Sequence, residues 1–132
     1  MKNFIKLFFF ISFLFFSNNL LADIEKGNWN FVKENDYCYI GSLPVNSDIP
    51  EGKKRGDVYI LVYRINNNPE TIIQINSGYP YKSDETVNVK IDKQNYEFFA
   101  NEDSAWTKND NEVIYAMKKG IKLSIFGVSS RG

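Results

Sequence analysis

Few residues in this chain can do chemistry. There is no histidine among its 132 residues, which excludes Ser-His-Asp and Cys-His nucleophile pairs and histidine-ligated metals. The single cysteine, Cys38, can neither close a disulfide within the chain nor build a thiolate metal site. It also lacks an imidazole to activate it as a nucleophile. Carboxylates remain. Asp84-Glu85, Glu102-Asp103 and Asp110/Glu112 are pairs that a hydrolase could use as acid and base, or a calcium loop as ligands. None has a recognised ligand spacing, and all fall in predicted loops or at a helix start, so solvated loop charge is the better reading. We expect no catalytic residue, no metal site and no cofactor.

Contact chemistry is the next possibility. Arg55-Gly56-Asp57 spells a tripeptide that adhesive proteins present to receptors from an exposed loop tip. Here it stands where a loop enters a very apolar strand, and Gly and Asp are common at such junctions. Tyr79 and Tyr81, with Trp106, flank loops and could form a contact patch, although core packing or a turn anchor is the better reading for each ring. Sixteen Lys+Arg balance sixteen Asp+Glu. A nucleic-acid binder would show a basic excess, so none is expected as a partner.

The elements that must hold these residues are mostly short strands. Asn28 to Lys33 alternates, and Tyr37 to Ile40 follows a polar turn. Residues 41–56 form an unusually long loop. Asp57 to Ile65 is apolar on both faces, which places it centrally in a sheet. Asn66-Asn67-Asn68-Pro69 returns the chain into Thr71 to Ile75, and Gly78-Tyr79-Pro80 turns it again. Thr86 to Asp92 points Val87, Val89 and Ile91 inward, and Tyr96 to Ala100 follows. Asp110 to Lys119 is a helix with Asn109 and Glu112 at capping-box spacing. Its buried stripe is Val113, Ala116 and Met117, and Gly120 suits a left-handed C-cap. Ile121 to Val128 is the last strand, with Ile121, Leu123 and Ile125 inward. About seven antiparallel strands and one short late helix predict an all-β domain, either a β-sandwich or a small barrel.

Residues 1–22 have the layout of a secretory signal peptide. Lys2 and Lys6 precede an apolar run from Leu7 to Phe16, and Ala22 suits the last position before cleavage. The run is too short to span a bilayer, so no membrane span should survive cleavage. Seven of the eleven Phe and two lysines leave with the leader, so residues 23–132 form a single domain of net charge −2. Cys38 could be a buried inert thiol, but an odd cysteine in an exported chain favours half of a disulfide whose partner is missing.

Several stretches in order then carry a resemblance. They are Ser42-Leu43-Pro44; Lys54-Arg55-Gly56-Asp57 with Tyr59 and Val62; Gly78-Tyr79-Pro80; and the Val87 to Asp92 strand. Ala105-Trp106, Ala116-Met117-Lys118 with Gly120, and Gly127 with Ser129-Ser130-Arg131-Gly132 complete the set. Together, from about Trp29 to the last residue, they resemble the invasion-associated locus B family of exported alphaproteobacterial proteins. The resemblance implies a β-rich periplasmic protein, or one associated with the outer membrane or released outside the cell, with no established enzymatic activity or cofactor. Members of that family usually continue past this point to a late cysteine. The resemblance therefore implies that this chain is truncated and that the partner of Cys38 lies beyond Gly132.

The leading functional expectation is a non-enzymatic envelope protein that binds or stabilises an envelope component, protein or ligand. The alternatives are a surface adhesion or invasion factor and a carboxylate-dependent hydrolase. Arg55, Gly56, Asp57, Tyr79 and Tyr81 are the candidate contact residues.

Overall fold

The computed structural model describes residues 24–49 and 54–131. The predicted leader and residues 50–53 of the long loop lie outside them. Among the described residues, alternating apolar residues build eight strands: β1 (Asn30–Lys33), β2 (Tyr37–Ser42), β3 (Tyr59–Ile65), β4 (Ile72–Asn76), β5 (Thr86–Ile91), β6 (Gln94–Asn101), β7 (Ser104–Trp106) and β8 (Leu123–Phe126). One helix, α1 (Asp110–Lys119), separates β7 from β8. The protein is all-β and antiparallel, as expected, with one more strand than the sequence suggested.

All eight strands lie in one sheet of order β1-β2-β3-β4-β7-β6-β5-β8. Strand β1 does not pair with β8, so the sheet stays open and the barrel alternative is excluded. The strand missed from sequence is β7. It is three residues long, too short to show a period, yet it bridges β4 and β6 and joins the two halves of the sheet.

One face of the sheet carries the core. Ile60, Val62, Ile73, Ile75, Ala105, Phe98, Val87, Val89 and Ile91 form a single cluster with Tyr81 and with Val113 of α1. Phe98, Ile73, Ile75 and Val89 are fully buried. At about 1.5–3 kcal/mol for each fully buried large apolar side chain, these residues supply most of the drive to fold. In β5 every second residue is buried, matching the inward set Val87, Val89 and Ile91. Strand β3 sits between β2 and β4, as its apolar character on both faces required. Ile60 and Val62 are buried, while Tyr59, Leu61 and Tyr63 are half-covered on its other face.

The ends of α1 depart from expectation. Its bounds match the sequence reading, but Asn109 makes no side-chain cap hydrogen bond. Asp110 turns away from its own helix, and its Oδ1 accepts the Ile73 N–H at 2.9 Å. Gly120 is extended (φ −76°, ψ 155°), not left-handed, although its N–H still closes on Ala116 O at 2.8 Å. The extended exit throws Ile121 outward, and this residue is 97% exposed. The inward set of the last strand is therefore Leu123 and Ile125 alone. No described helix is long and apolar enough to cross a membrane.

Candidate functional site

Tyr59, Asn76, Ser104 and Asn101 pair in one row across β3, β4, β7 and β6. Chain segments that leave this row gather at one end of the sheet. Asp57 lies two residues before Tyr59, Gly78 two residues after Asn76, and Glu102-Asp103 form the β6–β7 turn. Register alone thus brings together residues 45 positions apart. They enclose an open cleft of about 570 Å³ lined by Gly56, Asp57, Tyr59, Asn76, Gly78, Tyr79, Pro80, Glu102 and Asp103.

The cleft walls are held by backbone. Gly56 N–H donates to Gly78 O at 2.8 Å, Ser77 N–H to Asp103 O at 3.2 Å, and Tyr81 N–H to Glu102 O at 2.7 Å. The last bond helps hold Glu102 at φ +57°, a left-handed conformation uncommon outside glycine. Gly78 has φ +74°, and a side chain there would also meet the backbone of Gly56. Asn76 stitches the turn from below. Its Oδ1 accepts the Gly78 N–H at 2.9 Å, and its amide donates to Tyr59 Oη at 3.3 Å and Asp103 Oδ2 at 3.5 Å.

Arg55 and Tyr81 depart from the expected contact role. The Arg55 guanidinium points into the fold, where Nε donates to Ser77 O at 2.5 Å and a second nitrogen to Ser47 Oγ at 2.6 Å. It also stands 4.9 Å from the centre of the Tyr79 ring, a cation–π arrangement. A receptor-binding tripeptide needs this group free; here it braces the turn. Tyr81 is buried, only 6% exposed, with its hydroxyl hydrogen-bonded to Ser77 Oγ and its ring edge-on to Tyr79 at 5.4 Å. Burial pushes the Tyr81 phenol above its ordinary range, with Tyr79 and Asp103 adding to the rise and Ser77 and Arg55 opposing it. Tyr81 is therefore a core residue. Gly56 and Asp57 are exposed, and half-buried Tyr79 offers ring surface while its hydroxyl donates to Gly127 O at 3.2 Å.

The other candidates are scattered. Trp106 packs edge-on against Tyr63 at 6.4 Å on the sheet face away from the core, farther along β3 from the cleft. Asp84 occupies a left-handed turn position and Asp110 is bound to β4. Cys38 is a free, half-buried thiol on β2, between Lys33 of β1 and Arg64 of β3. Among the described residues no group of three or more Cys, Asp or Glu is arranged to hold a metal ion. The sequence marked Glu102-Asp103 as a pair but carried no signal that Asp57, Tyr59 and Asn76 would join them. That grouping depends on β7, which lies between β4 and β6.

No family model, no curated protein and no solved structure matches this chain.

Proposed function

We propose that this chain is an exported, non-catalytic binding protein of the bacterial envelope, with the cleft at the β3–β4–β7–β6 end as its contact surface. The leader layout of residues 1–22 supports export. The ordered stretches resembling the invasion-associated locus B family support a periplasmic setting. The observation that carries the reading is the cleft itself. Asp57 and Glu102 stand exposed beside the ring of Tyr79 and the edge of Pro80, on walls fixed by backbone bonds. Carboxylates beside aromatic surface suit a ligand with a cationic group and an apolar body, such as a basic peptide segment. Fixed walls keep the ordering cost of binding low.

The test is capture from envelope extracts by the immobilised protein, with Asp57→Asn/Glu102→Gln as the comparison. Both side chains are exposed, so neutralising them leaves the fold intact. We expect a specific partner that the double variant retains at least tenfold less well. Finding no specific partner, or equal retention by both proteins, would overturn the reading.

A further inference from the structure

The far end of the α1–β8 connection carries a second surface, independent of the cleft. Ile121 is almost fully in water, yet its backbone is held firmly. Asp92, at φ +53° in the β5–β6 turn, accepts the N–H of Ile121 at 3.1 Å and that of Lys122 at 3.0 Å. The Asp92 N–H in turn donates to Lys122 O at 2.9 Å. These bonds join two loops into one rigid tip with an isoleucine at its apex. A lone exposed apolar residue is ordinary. This one is set apart by its surroundings.

Lys118 and Lys119 end α1 immediately before the tip, Lys122 follows Ile121, and Lys93 lies in the facing turn. All four are exposed. Asp92, the carboxylate at the centre, is already occupied by backbone amides. Tyr115, 61% exposed one turn before the helix end, adds an aromatic ring with Lys119 4.2 Å from its centre. The tip thus offers an exposed isoleucine flanked along the chain by lysines, with Lys93 in the turn bonded to it and an exposed tyrosine one turn before the end of α1.

We propose that this tip docks on an anionic phospholipid surface, with Ile121 entering the interface and the lysines lying among the headgroups. Charge complementarity selects the partner. Each lysine near an anionic leaflet strengthens binding about fivefold, and tyrosine favours the headgroup level. The isoleucine adds an apolar contribution that charge alone does not provide. Rigidity of the tip means that little ordering cost opposes docking.

The protein, purified as the cell leaves it and with its N-terminus read by mass spectrometry, is sedimented with two kinds of vesicle. One is phosphatidylcholine alone and the other is phosphatidylcholine mixed with phosphatidylglycerol. Any retained leader contributes equally to every variant, so differences among variants report the tip. We expect binding that depends on phosphatidylglycerol and weakens with salt. Lys118→Gln/Lys122→Gln should reduce it roughly thirtyfold, and Ile121→Ser about tenfold. An Ile121→Trp reporter should shift its emission to the blue on the anionic vesicles only. Circular dichroism will confirm that the variants are folded, as their exposed positions require. Equal binding to both vesicle types, or an unshifted reporter, would overturn the proposal. Loss with the lysine variant but not with Ile121→Ser would also overturn it, because it would assign the lysines to a soluble polyanion.

Discussion

Replacing Gly78 with alanine tests how the cleft is held open. A Cβ at this position would lie 2.5 Å from Gly56 O and 2.7 Å from Gly56 C. Both are backbone atoms, which cannot rotate away. Alanine at φ +74° would carry about 1–2 kcal/mol of left-handed strain. Displacing Gly56 would break its 2.8 Å hydrogen bond to Gly78 O, another ~0.5–1.5 kcal/mol. The total is about 1.5–3.5 kcal/mol. With an m-value of about 1.5 kcal/mol/M, the urea midpoint should fall by roughly 1–2.3 M. Gly56→Ala is the control. Its Cβ would come no nearer than 3.1 Å to Gly78 O, and its φ lies outside the left-handed range, so its midpoint should fall by less than half as much. Equal shifts for the two variants, or a Gly78→Ala shift below ~0.5 M, would refute the crossed-backbone account of the cleft.

Four further outcomes are expected. Asn109→Ala should change stability by less than ~0.5 kcal/mol because its side chain caps nothing. Asp110→Ala should cost about 1.5–3 kcal/mol by freeing the Ile73 N–H; thermal melts of the two variants give the order. Backbone N–H donors from Lys122 and Ile121 hold the Asp92 carboxyl below its ordinary value. Its contribution is thus complete above the unfolded-state value of about 4 and lost as pH falls through the lower folded value. Asp92→Asn should therefore flatten the acid limb of stability against pH, and an unchanged limb would contradict the assignment. Finally, intact-mass measurement of the exported protein should show loss of residues 1–22; a retained leader would remove the basis for export with cleavage.

Much of the local structure was legible because it depends on neighbours a few residues away. The alternation of Val87, Val89 and Ile91 specifies both a strand and its inward face. Asn67 takes the left-handed angle its turn requires, at φ +66°. The bounds of α1 follow from its polar start, its apolar stripe and the lysines at its end. The helix ends were misread for a related reason. Spacing shows that Asn109 could cap and that Gly120 could turn left-handed, but not that Asp110 is engaged with β4 or that Asp92 receives the amides after Gly120.

By itself the sequence ruled out histidine-dependent chemistry and determined the type of nearly every described element, since composition and period are local properties. Strand order, the bridging role of β7 and the meeting of Asp57 with Glu102 and Asp103 were decided only in three dimensions. Tyr59 and Ser104 are far apart in the chain, yet both pair with Asn76. Such pairings are long-range and are selected by the buried face as a whole, not by any window of residues. The same fold turned Arg55 and Tyr81 from candidate contacts into supports, because their polar groups found partners inside the protein. It left Ile121 in water because Asp92 pins the backbone on either side of it.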